Sequence, residues 1–211
     1  MRVARTLGIG ASFPVWRTLV VFYAVPAADS VTASTSKGSQ FFMMPARRCA
    51  MDQRDKDRII WNLRSLPNEL DDLLNGLDEE TLRWRPIPNK WSIKEIMCHL
   101  RDMEREAYLA RYMRILTEET PTIPNVDQDR IAFETDYINQ DANATLAEFK
   151  KLRAETIRTL DGAPVEAWSR GGTHETDGPM TIEQLVLRQI KGNDLNHLVQ
   201  MKDIVRLKMP W

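Results

Sequence analysis

The chain is poor in residues that could staple or clamp a fold by themselves. It has two cysteines, Cys49 and Cys98, which cannot build a disulfide framework or a CxxC zinc or redox motif. Histidine occurs three times, at positions 99, 174 and 197. No apolar run reaches the roughly 18 residues needed to cross a bilayer, so no membrane span is expected. No stretch sustains the alternation of a half-buried strand. Surplus positive charge is missing too. The net charge is −1, and residues 1–50 hold six basic residues against Asp29 alone, which leaves a net of −6 for 51–211. An acidic domain has no electrostatic footprint for nucleic acid.

What is present falls into two parts. Residues 1–50 are rich in Arg, Ser, Thr and Ala, nearly free of acid and without a helical period. Three readings stay open: a signal peptide over 1–28, built on the apolar "TLVVFYAV" before "PAA", a transit-like leader, or an over-extended start ahead of Met51. The expected location is the cytoplasm, or outside it if residues 1–28 are a true signal. Residues 51–211 are expected to form one domain.

That domain reads as four long amphipathic helices. The first covers 52–76, and Pro67 should kink or split it. The second opens at Ser92 with Glu95 as a capping box and runs to about Thr117. Its inward stripe is Ile93, Ile96, Met97, Leu100, Met103, Ala107 and Met113, with His99 facing the same way. "RIAFETDYI" is a candidate short helix. The third long helix is "ANATLAEFKKLRAETIRTLDG", with Leu146, Phe149, Leu152, Ile157 and Leu160 inward and Gly162 as its cap. "GGTHETDGP" is a turn-rich connection. Thr181 and Gln184 cap the fourth helix, which runs to about Leu207. The fold class is therefore all-α, an up-down-type four-helix bundle, an architecture that places ligands and metals between facing helices.

The fourth helix carries an anomaly. Its apolar stripe, Ile182, Leu185, Val186, Ile190, Met201 and Ile204, passes through Asn193 and His197, one turn apart. A pair at i, i+4 can converge on one point, and His99 can face it from across the bundle. A lone histidine on an apolar face is more often a hydrogen-bonded core residue than a ligand. Two on separate helices raise the ligand reading.

Two blocks carry a family resemblance: "WSIKEIMCHLRDME" and "DGPMTIEQLVLRQIKGNDLNHLVQM". Residues 51–211 resemble the DinB/YfiT-like superfamily over nearly the whole domain. The resemblance implies a four-helix bundle and a divalent metal, zinc or nickel, held by three histidines. His99 matches the first ligand and His197 the third, but Asn193 stands where the second histidine is expected. An amide oxygen is a harder donor than imidazole. A His99–Asn193–His197 set can hold a metal more weakly, or the amide can simply hydrogen-bond the imidazoles in a metal-free pocket. Asp194 matches the family's acidic position beside the ligand, as its hydrogen-bond support or as a plain exposed acid.

Other residues carry weaker signals. Glu106 is two α-turns beyond His99 and is the speculative base; a solvated charge is the commoner role for it and for Glu104. His174 overhangs the pocket or lies on a surface loop. Cys98 points away from His99 on a helix and packs against a neighbouring one. Trp84, Trp91 and Trp168 fit core or rim anchors. Two classes of function follow. One is a metal-dependent enzyme, either a hydrolase or an S-transferase acting with a low-molecular-weight thiol. The other is a non-catalytic bundle that binds a small molecule or dimerises and has lost its metal. Dimers are common in the resembled family, and no residue here fixes the assembly.

Overall fold

The computed structural model describes residues 51–209. The open readings of residues 1–50 lie outside the described residues. Four long helical rods form the bundle. The first is α1 (Gln53–Leu74), followed by the short α2 (Glu79–Arg83). The second rod is α3 (Ile93–Asp102), a π-helical segment (Met103–Leu109) and α4 (Ala110–Thr117). A two-residue strand β1 (Thr122–Ile123) and a short helix α5 (Gln128–Glu134) lead to the third rod, α6 (Ala142–Gly162). Strands β2 (Gly171–His174) and β3 (Gly178–Thr181) precede the last rod. It comprises α7 (Ile182–Arg188), a second π segment (Gln189–Asp194) and α8 (Leu195–Lys208). Rod α1 packs on α6 and α8, and α3 packs on the same two. No described helix is long and apolar enough to cross a membrane.

Both expected capping boxes form. Ser92 and Thr181 each accept from the backbone three residues on, and Glu95 and Gln184 reach back. Pro67 does not split α1, which runs unbroken from Gln53 to Leu74. Gly162 is the last helical residue rather than a left-handed cap; Ala163 caps the helix in an extended conformation.

"GGTHETDGP" is not a mere turn. It forms an antiparallel hairpin, β2 against β3, with Thr173 opposite Pro179, and β1 adds in parallel to β2. The alternation that would reveal these strands is absent because they are only two to four residues long and carry glycines. Gly172 is needed for close approach: a Cβ there would lie 2.6 Å from the carbonyl oxygen of Pro121.

The π segments matter most. Each i→i+5 turn adds a residue, and such insertions often occur at functional sites. In an uninterrupted α-helix the inward positions after Leu100 and Glu104 would continue through Ala107 and Arg111. Ala107 is buried as that period requires, with Tyr108 beside it, but the next buried position is Tyr112, one residue past Arg111. Met113, expected inside, is therefore 46% exposed. Glu106 is exposed, as the commoner role of a solvated charge has it.

The core is in two parts. One apolar cluster gathers Ile59, Leu63, Tyr112, Trp168 and Leu185. The other gathers Leu70, Ile96, Phe149, Leu198 and Met201. Between their side chains in sequence come the buried polar residues Glu104, Arg153, Thr156, Gln189, Asn193 and Asp194.

Candidate metal centre and its buried support

His99 lies on α3 and is 2% exposed. Asn193, in the last turn of the second π segment, is buried; His197, near the start of α8, is half-buried. The rings of His99 and His197 sit edge to face with centroids 4.6 Å apart. Trp91, in the loop before α3, packs on both rings, 4.9 Å from His99 and 6.4 Å from His197. Two rods and one loop thus bring the expected residues together.

Hydrogen bonding assigns the free ends of the donors. Gln200 Oε1 lies 3.2 Å from His197 Nδ1, so that nitrogen carries the proton and Nε2 keeps its lone pair. Asn193 Nδ2 donates to Asp194 Oδ1 at 3.2 Å, which leaves Oδ1 as the acceptor end of the amide, the end that meets His99. His99 Nδ1 is buried with no hydrogen-bond partner. Burial holds the His99 imidazole neutral, pushing its pKa down to about 3, with the nearby His197 adding to the shift and the Asn193 amide opposing it. Burial lowers the pKa of His197 as well, against Gln200 and Asp194. Both imidazoles are therefore in the form that a metal requires. Among the described residues no three His, Cys, Asp or Glu side chains form a metal-holding group. A three-donor set exists only if the Asn193 oxygen is counted.

Behind this face lies a continuous buried network. Arg153 of α6 is fully buried. It donates to Asp194 through both terminal nitrogens, at 2.7 and 3.0 Å, and to Glu104 Oε2 at 2.9 Å. Gln189 Nε2 donates to the same Glu104 oxygen at 2.7 Å, and its Oε1 accepts from the Tyr112 hydroxyl at 2.8 Å. Burial opposes the Arg153 charge, but Asp194 and Glu104 outweigh it and raise its pKa. Burial pushes the Glu104 carboxyl up, against the pull of Arg153. Asp194 is thus not an exposed acid: it holds Arg153 with both oxygens and orients Asn193 with one. Glu104 is not a solvated charge either.

The remaining candidates lie elsewhere. His174 is not on an exposed loop; it ends β2 at 5% exposure, and its Nδ1 accepts from the backbone N–H groups of Thr176 and Asp177. None of its hydrogen bonds reaches the His99–His197 pair. The Cys98 thiol turns toward the Tyr137 carbonyl and Thr145, and burial pushes its pKa up to about 11. Trp168 is a core anchor at 0% exposure.

The neutrality of His99 has a measurable consequence. Its folded pKa lies below the unfolded value of 6.5, so between the two the unfolded chain binds the extra proton. Stability contributed by neutral His99 is complete above pH 6.5 and is lost as pH falls toward 3. At pH 5 the loss amounts to roughly 2 kcal/mol. Urea unfolding of metal-free protein at pH 7 and pH 5, beside His99→Leu, isolates it, because Glu104 contributes with the opposite sign in both. The variant should lose most of the pH 7-to-5 difference; an equal difference in both proteins would refute the assignment.

The fold and the paired imidazoles define the class. The family model of the DinB superfamily matches residues 62–201, and the chain belongs to that superfamily. One solved structure of similar fold, YfiT from Bacillus subtilis, is described as "a probable metal-dependent hydrolase with an unusual four-helix bundle topology". The match has a TM-score of 0.68 and 23% identity over 76% of this chain and 91% of that one. In sequence, the chain is 24% identical to the curated "Putative metal-dependent hydrolase YfiT" of Bacillus subtilis, across 78% of this chain and 91% of the relative. A relative of the same description from Oceanobacillus iheyensis is 21% identical, across 66% of this chain and 79% of its own length.

Proposed function

We propose that this chain is a divalent-metal-dependent hydrolase whose metal is held by His99, His197 and the amide oxygen of Asn193. The observation that supports this most is the pairing of two neutral imidazoles, one buried and one half-buried, 4.6 Å apart, beside an amide whose nitrogen is already engaged by Asp194. The hydrolase description of the relatives supports the same class of reaction.

When bound, a divalent ion with an open position supplies Lewis acidity and lowers the pKa of a coordinated water or thiol. The rest falls to the chain. Gln200 fixes the tautomer of His197, and Asp194 fixes the amide of Asn193; such supporting contacts hold donor groups in place. Trp91 packs against both imidazoles and helps to hold their rings in place. The donor set of two imidazoles and one carbonyl oxygen suits zinc or nickel, with the oxygen shifting preference toward harder ions. The same site would serve a thiol-dependent transfer, because a thiol is activated by the same loss of a proton.

Elemental analysis of full-length protein purified without nickel tests the reading. About one divalent ion per chain is expected in wild type, and His197→Ala should weaken zinc affinity at least tenfold, about 1.4 kcal/mol. Metal-free wild-type protein that also fails to take up added zinc or nickel would sink the proposal and leave a binding bundle without metal.

A further inference from the structure

The buried network behind the donor face is unbalanced in charge. Arg153 is the cation that bonds both Glu104 and Asp194, and all three side chains are buried. The groups that face Glu104 come from several elements. Rod α6 supplies Arg153 and Thr156, and the second π segment supplies Gln189 and Asp194. Tyr108 and Tyr112, on the rod of Glu104 itself, lie within its field, and burial raises the pKa of both phenols, so they stay neutral. From α1 comes the Leu63 carbonyl, which Arg153 also reaches, at 3.4 Å. With both acids ionised, one guanidinium would stand against two carboxylates where water does not reach, and an unmatched buried charge is costly.

The two oxygens of Glu104 are not equivalent. Oε2 accepts from Arg153 Nη2 at 2.9 Å and from Gln189 Nε2 at 2.7 Å. Oε1 is buried without a partner, and so is the hydroxyl of Thr156, which faces this carboxyl. Gln189 cannot turn to serve Oε1, because its own oxygen is held by the Tyr112 hydroxyl at 2.8 Å. This is the pattern of a carboxylic acid: one oxygen acts as a carbonyl that takes two donors, and the other carries the proton. Thr156 can accept from an acid or donate to a carboxylate, so the charge count decides between them. Asp194 is already matched by both terminal nitrogens of Arg153, which leaves Glu104 as the group to be neutralised. Burial raises its pKa in the same sense.

We propose that Glu104 holds a proton on Oε1 in the metal-free protein and releases it when a divalent ion is taken up by His99, Asn193 and His197. Positive charge arriving beside Asp194 offsets the surplus negative charge, so the O–H bond of Glu104 opens, the proton goes to solvent and a carboxylate remains on Arg153. Glu104 makes no hydrogen bond to the three donors among the described residues; it acts on them through Arg153 and Asp194. The proton is bound only in the metal-free state, so metal affinity rises with pH, by up to about tenfold per pH unit for one released proton. The imidazoles add little to this at pH 7, since both are already neutral. The release rests on the metal-dependent function proposed above; the proton on metal-free Glu104 does not.

Infrared spectra of the metal-free full chain at pH 7, beside Glu104→Gln, test the proton. Wild type should show the carbonyl band of a neutral carboxylic acid, and the variant should lack it. The amide copies the acid, with a carbonyl for the two N–H donors and an NH2 group toward Thr156, so the variant should keep a urea midpoint close to that of wild type. If it fails to fold, the wild-type band should still disappear as pH is raised. Zinc titration calorimetry in two buffers of different ionisation enthalpy tests the release: wild type should liberate about one proton per zinc more than Glu104→Gln. Zinc should also abolish the acid band. Absence of the band from metal-free wild type would overturn the proposal and leave the metal reading intact. A band that persists in the zinc-loaded protein, or equal proton release from both proteins, would overturn the release. Failure of wild type to take up zinc would remove the release together with the metal reading, while the band would still decide the proton on Glu104.

Discussion

Arg153→Met should cost about 3–5 kcal/mol of folding free energy, the range found when one partner of a buried ion pair is removed. The guanidinium and the Glu104 carboxylate are both at 0% side-chain exposure, and Asp194 is at 7%. Removing the cation strands two carboxyl groups where water cannot reach them. Much of the cost is that stranding rather than the intrinsic strength of the pair. The triple variant Arg153→Met, Glu104→Gln, Asp194→Asn should therefore recover a large part of the loss, because no buried charge is left unmatched. Urea unfolding of the three proteins gives the comparison. A single-variant cost below about 1 kcal/mol would mean that the triad is open to water and behaves like a surface pair. The single variant has a second expected effect. Asp194 is no longer pinned, so Asn193 loses its fixed orientation and metal affinity should fall with stability.

Much of the bundle was legible because its signals are local. The capping boxes at Ser92 and Thr181 needed only four residues each, and the apolar stripes of α1 and α6 needed only the helical period. The His99–Asn193–His197 grouping was legible for a related reason. Polar residues on an apolar stripe are conspicuous, and i, i+4 spacing already joins two of them. Arg153 was missed although its position was not hidden. The buried face of α6 runs Leu146, Phe149, Arg153, Thr156 and Leu160, steps of three and four residues without a gap. The expectation placed Leu152 and Ile157 inward because they are apolar, and both are only half-buried. The period was the better guide than the hydropathy. The π segments were missed because nothing in a single sequence distinguishes an i→i+5 turn from an α turn; their imprint is a one-residue slip in the buried pattern, which steps from Ala107 to Tyr112 rather than to Arg111. Met113 was misplaced by that slip, and Glu106 is exposed, as the commoner role of a solvated charge has it.

Asn193→His should raise zinc affinity by roughly a hundredfold, about 2.7 kcal/mol. The helix already presents position 193 and His197 from successive turns, and the His99 ring lies 4.6 Å from that of His197. The new side chain would place an imidazole nitrogen where the amide oxygen now stands. Its other ring nitrogen would inherit the bond to Asp194, which accepts from Asn193 Nδ2 today. A carboxylate holding the far side of a metal-bound imidazole fixes the ring and raises its basicity, and Arg153 already holds that carboxylate in place. The substitution therefore needs no repair elsewhere, apart from room for a slightly larger ring at a position that is 7% exposed. Zinc should shift the thermal midpoint of the variant upward more than that of wild type at equal metal concentration, by the mass-action relation for a ligand that binds only the folded state. A variant that gains affinity while wild type holds about one ion per chain makes Asn193 a working oxygen donor. A variant that gains affinity while wild type stays empty means that the pocket keeps its geometry but not its metal. A variant with no gain at all would mean that residue 193 does not face the point where His99 and His197 converge, and the candidate centre would have to be withdrawn.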